Sequence, residues 1–117
     1  MFFRKLRYLV CILGVATALT GNVQAAAKYI YIDDMSKVQF QLLSNNEVYF
    51  RNLHAFDSSV TGCCYAFRLD LNSEYGKNAW STILMKMASK ERLYLHVTES
   101  NPPTSGNPAV VDHLGIW

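Results

Sequence analysis

The chain has 117 residues, half of them hydrophobic, 17% of them charged, and a formal net charge of +2. This length and apolar content suit one small domain with a single core. Beyond the first ten residues the basic side chains are scattered, which argues against nucleic-acid binding, because that function rests on clustered Lys and Arg.

The first 25 residues have the pattern of a secretory signal peptide. Three basic residues precede a short apolar stretch, Tyr8–Leu19, and small residues precede Ala26. The stretch is too short to span a hydrocarbon core of about 30 Å comfortably. We therefore expect cleavage after Ala25, export to the periplasm or medium, and no stable membrane anchor; an uncleaved anchor is the alternative.

Cleavage changes the composition of the predicted domain, residues 26–117. Removing 25 of the 117 residues leaves 92, and removing three of the eleven basic residues leaves eight against nine acidic ones, a net charge of −1. Cys11 is lost with the apolar stretch, so only Cys63 and Cys64 remain. Two cysteines are too few for a disulfide-dense secreted fold, and we expect packing to stabilise the domain.

The predicted elements are strands and one late helix. The first strand is long, or broken at Asp33-Asp34, so that the first two patterns below count as one strand. The hairpin turn falls at Ser44-Asn45-Asn46. The strand patterns lie at Lys28–Asp33, Val38–Leu42, Glu47–Asn52, Cys63–Leu71, Arg92–Thr98 and Ala109–Trp117.

The helix is predicted by an apolar stripe at helical spacing, with Asn72 or Ser73 as its cap. The stripe consists of Trp80, Ile83, Leu84 and Met87. The resulting order, β-β-β-α-β-β, predicts a mainly β fold: a five-stranded OB-fold-like Greek-key barrel with the helix between strands three and four. An open α+β sheet with the helix on one face is the alternative.

A family resemblance follows from these residues. The run Cys64–Leu71, the turn Asn72–Lys77, the helix at Asn78–Ser89 and the run Lys90–Val97 resemble small secreted bacterial OB-fold proteins. That group includes the B subunits of subtilase-cytotoxin-like and pertussis-like AB5 toxins and uncharacterised periplasmic relatives. The resemblance implies a five-stranded barrel, often a ring-forming homo-oligomer, whose toxin members bind glycans. Relatives often carry a cysteine after the fourth strand, and here Glu99–Pro102 has none.

The adjacent cysteines allow three interpretations. Neighbouring Cα atoms lie about 3.8 Å apart across a trans peptide, closer than the usual disulfide range, so a bridge between Cys63 and Cys64 needs a strained turn. Cys63 can instead be a buried small apolar residue. Our functional interpretation is an interchain disulfide through Cys64, because an odd thiol in an exported protein often pairs with another chain.

The candidate ligand-binding residues are Tyr49, Tyr94 and His96, which strand alternation places on an exposed sheet face. The histidines at 54, 96 and 113 show no metal-ligand spacing, so we expect surface histidines, no metal site and no cofactor. No catalytic motif occurs, and we expect no enzyme activity.

These observations favour an exported, non-catalytic binding or assembly module similar to AB5 B subunits, with a glycan or protein ligand. A glycan-binding toxin pentamer is the first alternative, and a small periplasmic inhibitor or hydrolase is the second.

Overall fold

A computed structural model describes residues 26–99 and 102–117, and for residues 26, 27 and 99 it describes the backbone alone. The predicted signal peptide, with Cys11 and the cleavage site at Ala25, lies outside the described residues. These described residues form six strands and one α-helix: β1 Ala26–Ile32, β2 Phe40–Leu42, β3 Glu47–Phe50, β4 Phe67–Asp70, α1 Glu74–Ser89, β5 Leu93–Glu99 and β6 Ala109–Gly115. Short 3-10 turns occur at Met35–Lys37 and Leu53–Ala55.

The strands form one open, mixed sheet in the order β1-β5-β6-β4-β3-β2. All neighbouring pairs are antiparallel except β4 and β6, which run parallel through Phe67 opposite Ala109 and Arg68 opposite Val110. The hairpin of β2 and β3 confirms the predicted turn, in which Asn46 adopts a positive φ of 62°. Asparagine tolerates this left-handed conformation better than most residues.

One face of the sheet and one side of the helix form the core. Alternation along the strands sends every second side chain inward. The fully buried aromatic residues are Phe50 and Phe67. They pack with aliphatic residues from all parts of the described chain: Ile30, Ile32, Met35, Val48, Leu53, Leu69, Ile83, Leu93, Leu95, Val97 and Val111.

The helix starts and ends at recognisable caps. The Ser73 hydroxyl accepts a hydrogen bond from the Gly76 amide at 2.9 Å, which confirms one of the two predicted caps. At the other end Lys90 is left-handed, and its amide bonds to helix carbonyls. Three members of the predicted stripe contact the core: Ile83 is buried, and Trp80 and Met87 pack against it. The fourth, Leu84, is exposed, and Gly76 and Ala79 complete the buried side of the helix.

The structure confirms a mainly β fold with one helix, but the five-stranded closed barrel is wrong in two respects. The sheet is open with six strands, and the helix follows the fourth strand rather than the third. The additional strand arises at Asp33-Asp34. Asp34 Oδ1 accepts a hydrogen bond from the Ser36 amide and caps the 3-10 turn, so β1 and β2 separate and pair at opposite ends of the sheet. The open sheet of the alternative interpretation is closer to what is observed.

No helix within residues 26–99 and 102–117 is long and apolar enough to cross a membrane.

Candidate ligand-binding face

A β-bulge in β6 brings polar side chains together on the outer sheet face. His96 on β5 lies opposite His113, but the next residue, Val97, lies opposite Val111. Asp112 is therefore the extra residue of the bulge. In a regular strand Asp112 and His113 would point to opposite faces, whereas a bulge can turn both to the same face. Both contact the His96 side chain.

The His–Asp cluster, which we define as His96, Asp112 and His113, is held by several contacts. One carboxylate oxygen, Asp112 Oδ1, contacts His96 Nδ1 and lies 3.1 Å from His113 Nδ1. The two imidazole rings stack with centroids 4.0 Å apart. Thr98 Oγ1 donates to the second carboxylate oxygen at 3.2 Å, and Tyr29 Oη lies 2.9 Å from His113 Nε2.

These contacts favour the ionised carboxylate of Asp112. Partial burial raises the pKa of Asp112, but the hydrogen bonds from His96 and Thr98 and the nearby His113 outweigh burial, and its pKa lies below the ordinary value of 3.8. Asp112 is therefore an anion at neutral pH, hydrogen-bonded by His96 and Thr98, with the His113 imidazole close by.

An aromatic face adjoins the cluster, and we define it as Tyr29, Tyr31, Tyr94 and Trp117. The Trp117 ring stacks on Tyr94 with centroids 4.3 Å apart and 13° between the planes, while 61% of Trp117 stays exposed. Tyr31 packs against the Tyr94 ring at 5.0 Å, and Tyr29 meets Trp117 edge-on at 5.1 Å. Tyr29 also lies edge-on against both imidazoles, so the aromatic face and the cluster form one continuous surface.

The predicted ligand-binding residues therefore divide into two places. Tyr94 and His96 belong to this surface. Tyr49 lies on β3, opposite Arg68 of β4, and β6 separates β4 from β5. Three strand spacings amount to roughly 14 Å. Burial and the neighbouring Glu47 raise the pKa of Tyr49 above its ordinary value, and the Glu47–Arg68 ion pair lies beside it.

The adjacent cysteines are joined to each other in a disulfide. Cys64 is thus engaged within its own chain, and the predicted interchain disulfide requires this bond to open first. One ring nitrogen of His54 lies within 4.8 Å of both sulfurs. His54 Nδ1 is buried and has no hydrogen-bond partner in the described part of the chain. An oxidised pair offers no thiolate to a metal, so this group has no metal-binding capacity while the disulfide persists.

A cavity of about 180 Å³ lies behind β6, lined by Leu69, Tyr75, Val111 and Asp112 among others. Burial raises the pKa of Tyr75 to about 12, and the Tyr75 hydroxyl donates to the Val111 carbonyl at 3.4 Å. The cavity is smaller than the ~300–1,000 Å³ of typical small-molecule sites, so the open face is the better candidate for ligand contact.

The His–Asp cluster was not predicted from the sequence, because its two histidines are far apart in the chain. The expectation of no metal site considered only ligands that are close together in the sequence. One signal was available. In Val111-Asp112-His113-Leu114 two polar residues separate two apolar ones, whereas strict alternation allows one. Burying both Val111 and Leu114 on one face needs an extra residue, which is a bulge. The stacking of Trp117 on Tyr94 had no comparable signal.

The comparisons with known proteins found no counterpart: no family model, no curated protein and no solved structure matches the chain.

Proposed function

We propose that this protein is an exported, non-catalytic binding module whose ligand-contacting surface is the aromatic face and the adjoining His–Asp cluster. The observation that carries the proposal is the exposed Trp117 ring, held flat on Tyr94. An exposed indole that is already ordered offers apolar contact area at little further cost in conformational entropy.

A carbohydrate is the ligand class that fits best. Sugar rings carry C–H groups that pack on aromatic rings, and their hydroxyls need acceptors and donors close by. The aromatic face supplies rings with polar hydroxyls, and Asp112 and His113 supply a carboxylate and an imidazole at its border. Both are partly exposed, so a bound ligand can reach them.

The strand order supports the proposed kinship with secreted OB-fold proteins. If β1 and β2 are taken as two halves of one interrupted strand, five strands remain and the helix lies between the third and fourth. OB-folds are themselves partly open barrels. All six described strands lie after the proposed cleavage site at Ala25, so a mature chain that starts at Ala26 would retain them.

An exposed apolar region supports the proposed self-assembly. β2 is an edge strand, and all three of its residues, Phe40–Leu42, are exposed. Phe40 packs edge-on against Trp80 at 4.8 Å, and Leu84 lies one turn further along the same side of the helix. Natural proteins usually protect exposed edge strands from pairing with other chains. We therefore propose that a second copy of the chain covers β2. Light-scattering mass tests the assembly separately from ligand binding.

A glycan array followed by a titration tests the binding proposal. The wild-type protein is expected to bind a subset of glycans, and Trp117→Ala is expected to weaken that binding by tenfold or more, in line with the loss of a central aromatic contact of about 2 kcal/mol.

Tyr49→Ala is the matched control, because Tyr49 is also a strand tyrosine but lies about three strands away. It should leave the affinity within about twofold. Equal losses in Trp117→Ala and Tyr49→Ala, or no glycan signal from folded wild-type protein, would contradict the proposal.

A further inference from the structure

We propose that the His–Asp cluster is a binding site for a divalent transition metal, Zn²⁺ or Cu²⁺. Two imidazole nitrogens and one carboxylate oxygen, from His96, His113 and Asp112, lie within 4.8 Å of one another. This inference goes beyond the proposed glycan binding and does not depend on it.

The donor set selects the class of metal. Imidazole favours Zn²⁺, Cu²⁺, Ni²⁺ and iron, whereas Ca²⁺ and Mg²⁺ require oxygen ligands. Metal–ligand bonds of about 2.0–2.2 Å in a tetrahedron place the ligand atoms roughly 3.3 Å apart. His113 Nδ1 already lies 3.1 Å from Asp112 Oδ1, so a small rotation of the Asp112 side chain opens the cluster for an ion.

Both Nδ1 atoms lie against the same carboxylate oxygen, and because the two rings are stacked nearly parallel, one imidazole must turn before both lone pairs meet a single ion. His96 and His113 lie opposite each other on β5 and β6, and their rings are stacked, so their Nδ1 atoms approach Asp112 Oδ1 from neighbouring positions. Three protein ligands leave a fourth position for water or for a group of a bound ligand, as in zinc sites with an open coordination position.

Two of the three ligand side chains already have polar partners on their other side, as metal ligands in proteins usually do. Tyr29 Oη lies 2.9 Å from His113 Nε2, the ring nitrogen that would not bind the ion. Thr98 Oγ1 donates to Asp112 Oδ2 at 3.2 Å, the carboxylate oxygen that faces away from the two imidazoles. Such partners fix the orientation of a ligand and of its tautomer. Tyr29 and Thr98 are thus positioning residues.

The three ligand side chains differ in how far they are exposed to solvent. The His96 side chain is only 12% exposed, whereas Asp112 and His113 are 42% and 46% exposed. Neighbouring side chains limit the orientations of the His96 imidazole, and the two exposed ligands leave the site open to ions from solution.

Titration calorimetry with Zn²⁺ tests the site on protein that carries no polyhistidine tag and is kept oxidised, so that the Cys63–Cys64 bond removes thiolate ligands. One ion per chain is expected. His113→Gln should lose at least tenfold in affinity and Tyr29→Phe about tenfold, while Tyr29→Phe retains one ion per chain. His54→Gln is the matched control, since it removes a histidine outside the cluster, and should leave the affinity unchanged.

A second readout separates coordination from unfolding. Cu²⁺ bound to the wild type should give an electron paramagnetic resonance spectrum with two nitrogen ligands, and His113→Gln should retain one. His113 is exposed, so this variant is expected to fold, which far-UV circular dichroism checks. Absence of stoichiometric Zn²⁺ binding, or an equal loss in His54→Gln and His113→Gln, would overturn the proposal.

Discussion

Trp117 lies across Gly115. A Cβ atom at residue 115 would stand 2.5 Å from Cζ3 of the indole, closer than the non-bonded contacts that Cβ atoms make in real proteins. Gly115 is opposite Tyr94 in the sheet, and the missing side chain leaves the space in which Trp117 stacks on that tyrosine. One glycine thus permits the central contact of the aromatic face.

Gly115→Ala should therefore displace the indole from Tyr94. We expect easier quenching of tryptophan fluorescence by acrylamide and a loss of about 1 kcal/mol in the free energy of unfolding, since an aromatic stack contributes this much. Gly106→Ala is the control, because the nearest atom to its added Cβ would be Thr104 Oγ1 at 3.9 Å. Identical quenching in both variants would contradict this role of Gly115.

Gly76→Ala should destabilise the protein, although alanine is the better helix former by about 1 kcal/mol. A Cβ at residue 76 would stand 1.6 Å from the Asp70 carbonyl oxygen, which is backbone and cannot rotate away. We expect a loss of roughly 1–3 kcal/mol or more in urea unfolding, the cost of overpacking. Gly106→Ala again serves as the reference, and a Gly76→Ala protein as stable as the wild type would show that the helix start can shift freely.

The pH dependence of stability should report the cap at Asp34. The Ser36 hydroxyl and amide donate to the Asp34 carboxylate and hold the pKa of Asp34 below 3.8. Its stabilising contribution is therefore complete above about pH 5 and is lost as the pH falls through the folded-state pKa. Asp34→Asn should lower Tm at pH 6 and converge with the wild type near pH 2, with Ser36→Ala between them; parallel curves for all three proteins would count against this linkage.

The disulfide predicts a monomer band on non-reducing electrophoresis, because Cys63 and Cys64 are bonded to each other. Cys63→Ser frees Cys64, and dimers that disappear on reduction should then form. A dimer band in oxidised wild-type protein would instead support the interchain disulfide expected from the sequence.

Local patterns predicted much of the fold. The β2–β3 hairpin and the Ser73 cap follow from turn and capping chemistry. The order of the strands in the sheet does not follow from local patterns, because pairing between strands that are distant in sequence depends on packing across the whole domain. Asp33-Asp34 predicted a possible break in the first strand. Nothing in the neighbouring sequence indicated that the two resulting strands, β1 and β2, would lie at opposite ends of the sheet.

The site was harder to predict for a related reason. Strand alternation correctly placed Tyr94 on the outer face, and His96 lies there with most of its surface covered by neighbours. Their partners come from β1 and β6, which are far apart in sequence, and the bulge at Asp112 reverses the alternation on which a face assignment depends. Tyr49 follows the same strand alternation but lies about three strands away from Tyr94. Knowing which face of the sheet a residue occupies therefore does not show which residues lie together in a site.

Chemical-shift mapping by NMR tests the central claim, that the aromatic face contacts the ligand. A glycan selected on the array is titrated into labelled wild-type protein. The amide shifts should be largest at Tyr29, Tyr94 and Trp117, with little change at Tyr49 and Arg68. Shifts centred on Tyr49 and Arg68, or spread over the helix, would contradict the account.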